Sequence, residues 1–517
     1  MGAGKTTIGQ LLAARLGWRF VDIDEAAVAM AGRSIPELFA DGEEEFRQWE
    51  RQAIAAHAHD EDTVIATGGG AIAQDDTRGL LVSLGPVVCL TAPLAVLWER
   101  AGTDPNRPLG QDFDVFKARH DSRKPVYERF PLRFDTSGVP PEALAAAIAA
   151  QVVHASARVD VALGERAYPI DVAPGNLWRL PSALPGDPGT CLVVTDDGVP
   201  QTYVETAMHA LHYAGWAPVL EVLPAGEATK SIASAERLYD ACIRSGLKRH
   251  QPIIALGGGV VGDLTGFVAA TYQRGVPFVQ VPTTLLAQID SSVGGKVAVN
   301  HPRGKNLIGA FYQPVHVVAD VGTLLTLSDR EYGAGLAELL KYGVILDPDL
   351  FATVEANVQA LRDRDLPLLT RLVARCCELK AQVVAQDERE MPGGPRGWLN
   401  FGHTLGHAVE TVAGYGTWLH GEAVAIGMAA AGRLAATRGD WSVADAARLD
   451  ALIRALDLPA SVPDLPADEL VAAMARDKKN RTAGTTFILP SRIGAVGYAR
   501  IEEPELRQWL ASEAVGK

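Results

Sequence analysis

The chain carries only five cysteines in 517 residues (Cys89, Cys191, Cys242, Cys376 and Cys377), with no C-x-x-C pair among them. That excludes a disulfide-framed secreted scaffold and predicts reduced, mostly buried thiols in a cytoplasmic protein. No apolar run approaches the ~20 residues that a membrane-spanning helix needs, and no secretory signal pattern opens the sequence. An excess of positive charge is missing too: 48 Lys+Arg face 62 Asp+Glu, for a formal net charge of −14. This argues against a general nucleic-acid binder and predicts anionic small molecules held by a few buried Arg and Lys residues. No repeat with a period of about 20–50 residues is visible.

What is present is ordinary globular composition, 48% apolar and 21% charged, at a length that calls for two or three domains. Residues 1–135 alternate helical patterns with short apolar strand candidates at 64–66 and 87–90, the rhythm of an α/β domain with a parallel sheet. Residues 136–158 are rich in Pro and Ala, with a helical stretch at 141–155. They read as the last helix of that domain running into a linker at 151–158. Strand-like starts at 159–172 and 192–195 open a second α/β region. After about residue 327 the pattern turns mostly helical, with amphipathic stretches such as 361–386. The expected domains are therefore 1–150, 159–327 and 328–517.

Met1-Gly2-Ala3-Gly4-Lys5-Thr6-Thr7 is the end of a Walker A loop leading into a helix at 8–16. Backbone N–H groups of such a loop cradle phosphates, Lys5 would reach the β and γ oxygens, and the Thr6 hydroxyl would ligate Mg²⁺. Three further features agree. Asp22-Ile23-Asp24 follows a strand-like segment, as a metal-and-substrate carboxylate pair would. Gly68-Gly69-Gly70 follows the strand candidate 64–66, while Arg107-Pro108-Leu109 and Arg123-Lys124-Pro125-Val126-Tyr127 bracket a polar, lid-like segment.

Over residues 1–150 these motifs resemble shikimate kinase, a P-loop fold of the nucleoside-monophosphate-kinase type. The resemblance implies that Gly2, Gly4, Lys5, Thr6 and Thr7 hold ATP, with Thr6 and Asp22 supporting Mg²⁺. It gives Asp24 the shikimate hydroxyls and the attacking proton. It gives Arg47 and Arg123 the shikimate carboxylate, whose plane a guanidinium fork matches better than an ammonium. Gly69 adds backbone contact, and Arg107 neutralises charge on the transferring phosphate. The first glycine of the Walker A pattern falls two positions upstream of Met1, and the strand that should feed the loop is absent as well. In P-loop folds that strand lies inside the sheet, so its loss should remove core packing and leave its neighbours' backbone unpaired. The expectation is an upstream start codon or a crippled kinase half.

In the second half, Gly257-Gly258-Gly259-Val260-Val261-Gly262-Asp263 suits close approach of a dinucleotide pyrophosphate to main-chain N–H groups. Glu338, His403, His407 and His420 supply a carboxylate and imidazoles of the kind that hold a catalytic zinc with an open position. His403 and His407 are four apart in a helical pattern and so share a face. A nicotinamide site beside a metal means that a substrate alcohol can be held and oxidised.

Other motifs narrow this. They are Leu163-Gly164-Glu165-Arg166, Gln273-Arg274-Gly275, Pro282-Thr283-Thr284-Leu285-Leu286, Asp290-Ser291-Ser292-Val293-Gly294-Gly295-Lys296 and Gly304-Lys305-Asn306. Later come Glu338-Leu339-Leu340-Lys341-Tyr342-Gly343, Asn400-Phe401-Gly402-His403-Thr404-Leu405-Gly406-His407 and Asp477-Lys478-Lys479-Asn480. Together, over about residues 159–517, they resemble 3-dehydroquinate synthase: a Rossmann-like α/β domain followed by a mostly helical metal-binding domain. The resemblance implies NAD⁺ against Glu227, Lys230, Gly258, Gly259, Val260, Asp263, Thr283, Thr284, Lys305, Thr323 and Thr326. It implies zinc or cobalt on Glu338, His403 and His420, with His407 near the substrate as a proton carrier. Arg274, Asp290, Asn306, Arg396, Asn400 and a lysine of the Lys478-Lys479 pair would bind substrate, and Lys296, Lys341, Lys380 and Glu390 would serve catalysis. Ala225 stands where the family often has Asp, which should weaken adenosine-ribose contacts. The segment 391–395 is about two residues longer than usual, ahead of Arg396.

The implied cycle oxidises a ring alcohol with NAD⁺, expels phosphate, returns the hydride, and closes the carbocycle by an intramolecular aldol step. The leading expectation is thus a cytoplasmic enzyme with two activities, the second and fifth steps of the shikimate pathway. It would work on small molecules, without nucleic acid or membrane, as a homodimer through the synthase half. Two alternatives stand beside it: a related sugar-phosphate cyclase or polyol dehydrogenase, and an active synthase carrying a non-catalytic kinase-like module.

Overall fold

In the N-terminal half the expected parallel sheet is split in two. The computed structural model describes residues 2–58, 60–101, 112–414, 416–475 and 484–515, so Arg107, Lys478 and Lys479 lie outside the described residues. Strand β1 (Arg19–Asp22) pairs parallel with β2 (Thr63–Ala66), and β3 (Cys89–Thr91) pairs parallel with β4 (Arg133–Asp135). Among the described residues β2 and β3 share no ladder. Between them opens a cavity of about 1270 Å³, walled by Val64, Ile65, Cys89 and Leu90 and backed by Ile8 and Leu12 of the helix Lys5–Leu16. The facing edges of β2 and β3 are thus open to a further strand, with which both could pair.

The second half begins with β5 (Ala157–Val161), β6 (Tyr168–Ala173), β7 (Thr190–Asp196), β8 (Ala217–Leu223), β9 (Ile253–Gly257) and β10 (Phe278–Pro282). Strands β11 (Lys296–His301) and β12 (Gly304–Phe311) form an antiparallel hairpin, and β13 (His316–Asp320) completes the main sheet. Its order is β5-β6-β13-β10-β9-β7-β8, parallel throughout except for the β5–β6 edge pair. All residues of β9 and β10 are buried, as central strands covered on both faces must be. Helices then dominate, chiefly Asp329–Ile345, Leu366–Gln386, His403–Ala413 and His420–Arg438, with one antiparallel ribbon of β14 (Thr485–Arg492) and β15 (Ala495–Ile501).

Two sequence boundaries move. The stretch at 361–386 is two helices, Val358–Arg362 and Leu366–Gln386, because Asp365 caps the second and Pro367 suits its first turn. The linker is shorter than 151–158: a helical turn runs through Ala149–Val153, and β5 starts at Ala157. The halves also share a core. Ile8, Leu144, Ile148 and Val152 belong to the same buried cluster as Val159, Ile170 and Leu285. Nearby, the helix Asp75–Leu84 lies on the helix Gln201–Tyr213, where the Tyr213 hydroxyl donates to the Asp76 carbonyl at 3.1 Å. All five cysteines are buried and unpaired. Among the described residues no helix is long and apolar enough to cross a membrane.

Amides of residues 63–66 and 89–91 should exchange at least about tenfold faster, about 1.4 kcal/mol, than those of 253–257 and 278–282. Hydrogen exchange read by mass spectrometry checks this. Equal protection would mean that the facing edges are paired in solution.

Candidate active sites

The dinucleotide end is built by local sequence. Strand β9 ends at Gly257 and the helix Gly259–Thr271 starts at once, so the first-turn N–H groups of Gly259 and Val260 point out of the sheet's C-terminal edge. The turn after β10 lies beside it: the Thr283 N–H donates to the Gly257 carbonyl at 3.0 Å. Asp263, one turn into the helix, pairs with the Lys230 ammonium at 2.5 Å, and the same ammonium donates to the Asn306 side chain at 2.6 Å. Burial pushes the Asp263 carboxyl up against the pull of Lys230. Glu227 accepts from the Asn300 amide at 2.7 Å. Thr323 is buried beneath this surface and donates to the Thr283 carbonyl at 3.0 Å, and Thr326 shares a hydrogen bond with the Tyr203 hydroxyl at 3.0 Å. The structure therefore brings Gly258, Gly259, Val260, Asp263, Thr283, Thr284, Lys230 and Glu227 to one edge, with Thr323 and Thr326 supporting it from below.

The metal-type end is built by helix packing. A Cβ on Gly421 would lie 1.9 Å from the Ala334 carbonyl oxygen, so only glycine lets the helices Asp329–Ile345 and His420–Arg438 approach this closely. That approach sets Glu338 Oε1 3.5 Å from the Nε2 atoms of both His403 and His420. His407, one turn along from His403, joins them: the three imidazoles each place a ring nitrogen within 4.8 Å of the others. Both Glu338 oxygens are fully buried without a hydrogen-bond donor in good geometry, although the Lys341 ammonium forms an ion pair with them. Burial favours the neutral acid, yet Lys341 and His403 outweigh it and hold Glu338 at about 2. Burial opposes charge on His420 as well, but the neighbouring carboxylates of Glu338 and Glu410 push it up to about 10. Burial takes His403 well below its usual value. A pocket of two anchored imidazoles and an ionised carboxylate selects positive charge, and a divalent cation fits this donor set.

Between the two ends runs a chain of charges. Asp290 lies 3.1 Å from Lys341 and pairs with Lys380, which also donates to the Asp290 carbonyl at 2.6 Å. Burial works against the Asp290 anion, but the two ammonium groups carry it far below the carboxylate range. The same contacts raise Lys341, whereas burial prevails at Lys380 and lowers it. Lys296 pairs with Glu390, to which Asn400 donates at 3.2 Å. Arg396 is 2% exposed, with its guanidinium on the carbonyls of Gly294 and Glu388. Arg274 ends the turn after the helix Gly259–Thr271 with a left-handed φ of 66°.

In the N-terminal half the Thr6 hydroxyl donates to Asp22 at 2.8 Å, and Asp22 caps the helix carrying Asp24 by accepting from its N–H at 3.0 Å. Arg47 is clasped by Glu50 at 2.7 Å and Glu43 at 2.8 Å, while Arg123 lies 4.0 Å from Glu43. Burial pushes Glu50 up and Arg123 down. The Gly69 carbonyl accepts from the Tyr127 hydroxyl at 3.0 Å, and Lys5, Gly69, Arg123 and Tyr127 all face the large cavity.

Sequence reading did not single out Glu43, Glu50 or Glu410. Glu43 and Glu50 stand four before and three after Arg47, on one helical face. Glu410 stands seven after His403 on the imidazole face. Those spacings were the available signals.

Family sequence models match in three places: shikimate kinase over residues 1–153, the N-terminal part of 3-dehydroquinate synthase over 220–334, and its C-terminal part over 335–480. A 3-dehydroquinate synthase of Geobacter metallireducens is 52% identical over 352 residues, which are 66% of this chain and 95% of that one. Among solved structures, a 2-epi-5-epi-valiolone synthase from Streptomyces hygroscopicus with NAD⁺ and Zn²⁺ bound is 30% identical, with a TM-score of 0.63 over 69% of this chain and 99% of its own. A 2-deoxy-scyllo-inosose synthase complexed with carbaglucose-6-phosphate, NAD⁺ and Co²⁺ is 26% identical, with a TM-score of 0.63 over 68% and 98%.

Asp290→Asn should strand two buried ammonium groups and destabilise the second half by about 3–5 kcal/mol at neutral pH. The Asp290 pKa is depressed on folding, so its contribution is complete above the unfolded value of about 4 and disappears as pH falls toward the folded one. Denaturant titrations of wild type and variant should therefore converge in acid. A gap that persists unchanged there would contradict this account.

Proposed function

Because this chain belongs to the 3-dehydroquinate synthase family and carries a shikimate kinase domain ahead of it, we propose residue roles for two reactions on one polypeptide. The chain is a bifunctional shikimate-pathway enzyme. One activity converts 3-deoxy-D-arabino-heptulosonate 7-phosphate to 3-dehydroquinate and phosphate, and the other phosphorylates shikimate with ATP. The proposed division is 1–150 for the kinase, 159–327 for the NAD-binding domain and 328–517 for the helical domain. In the cytoplasm, a placement that five buried thiols support, it would act as a homodimer through the synthase half.

In the synthase, Glu338, His403 and His420 would hold zinc or cobalt, and the edge from Gly258 to Asp263 would hold NAD⁺. When bound, the metal would supply Lewis acidity and the dinucleotide a hydride acceptor. The protein's own work is to bind and orient. Arg274, Lys296, Asn306, Arg396 and Asn400 would bind a doubly anionic substrate, with Glu390 holding Lys296. Lys341, kept charged by Glu338 and Asp290, stabilises negative charge beside the carboxylate, and Lys380, with its lowered pKa, is suited to exchange a proton. His407 moves protons at the open side of the imidazole cluster. The arrangement of Glu338 between two Nε2 atoms carries this reading. A second reading, His407 as a ligand, has the mutual approach of the three imidazoles in its favour.

In the kinase, Lys5 and the loop N–H groups would hold the phosphates and the Thr6–Asp22 pair would seat Mg²⁺. Asp24 would take the attacking proton. Arg47 and Arg123 would grip the shikimate carboxylate, with Glu43 and Glu50 fixing the Arg47 fork.

Purified full-length chain should release phosphate from the heptulosonate and form ADP when shikimate is added. His403→Ala should abolish the first activity and leave the second. Asp24→Asn should cut the second by about 100-fold or more and leave the first. ADP formation independent of shikimate, or unmoved by Asp24→Asn, would overturn the kinase assignment without touching the synthase.

A further inference from the structure

We propose that Glu410 is a positioning residue that orients His420 for the metal, a role that rests on the Glu338–His403–His420 reading above. The two imidazoles are anchored in different ways. His403 has its Nδ1 3.0 Å from the Phe401 carbonyl, two residues back in its own chain, which turns Nε2 toward Glu338. His420 opens its helix as the first residue after Leu419, and among the described residues no carbonyl anchors its ring in this way. Its Nδ1 is instead 3.3 Å from Glu410 Oε2, a carboxylate from the neighbouring helix His403–Ala413. Its Nε2 then lies 3.5 Å from Glu338. A carboxylate at Nδ1 selects the tautomer with the proton there and leaves the Nε2 lone pair for a cation.

Burial and a third partner support the assignment. Glu410 is 8% exposed, so its charge needs compensation. The Lys305 ammonium, on β12 of the hairpin, stands 3.8 Å from the other Glu410 oxygen. The carboxylate is thus held at both oxygens, one by a cation and one by the ring it orients. Helix geometry places Glu410 on the face shared by His403 and His407, at i+7 and i+3, yet it points to the neighbouring helix's imidazole.

The test is metal affinity of the full chain, stripped and titrated with Zn²⁺ against a chromogenic chelator, together with the visible spectrum of the Co²⁺ form. Glu410→Ala should weaken affinity about 10–100-fold and alter the Co²⁺ bands. Glu410→Gln, whose amide oxygen can still accept from Nδ1, should recover part of the affinity and most of the spectrum. Thermal unfolding of the metal-free proteins separates positioning from folding. Wild-type affinity and spectrum in Glu410→Ala would overturn the proposal. So would losses in both variants that match a loss of metal-free stability. Wild-type protein that takes up no stoichiometric metal would sink the metal reading itself, and this proposal with it.

Discussion

Four charges of alternating sign, the buried Glu338, Lys341 and Lys380 and the partly buried Asp290, hold this region of the second half together. They come from three elements: the helix Asp329–Ile345, the turn after β10, and the helix Leu366–Gln386. Each charge lies against one of opposite sign, so the desolvation of any one is offset only while its neighbours stay in place. The row spans the junction between sheet and helices. It ends at one side on the carboxylate between two imidazoles and at the other on Lys380, held against the Asp290 carbonyl. The apolar packing around it is interchangeable in kind; the row is not.

How much of this could be read from the sequence depends on the range of the interaction. The strand–glycine–helix unit at 253–271 is local, and its dinucleotide-type edge follows from spacing alone. The metal-type residues were legible as chemical types, but their convergence depends on Gly421 admitting the Ala334 carbonyl, a contact between residues 87 positions apart. Glu410 and Glu50 were not legible because a glutamate in a helix is most often solvated. Only the folded neighbour, an imidazole in one case and a guanidinium in the other, distinguishes them. The P-loop pattern led to an expectation of unpaired backbone beside the loop, and the structure has a cavity between β2 and β3. The joining of the two halves was not foreseen, since the linker reading treated them as tethered.

The two sites solve anion binding differently. The kinase half surrounds Arg47 with two carboxylates, leaving a guanidinium stiffly aimed. In the synthase half Lys296, Lys341 and Lys380 each pair with a carboxylate, so that their positive charge is compensated within the fold.

The common core has a bearing on how such a gene could change. Splitting it at residues 154–156 would give two products, each with a freshly wetted apolar face from the cluster that Ile148 and Val152 now share with Val159 and Ile170. At the second contact, a side chain at position 79 would run into the His209 ring, 2.5 Å from where its Cβ would sit. A lineage that separated the two enzymes would need new polar residues on both faces first, or the fragments would reassociate or precipitate. Fission therefore meets an obstacle of solubility before any question of activity arises.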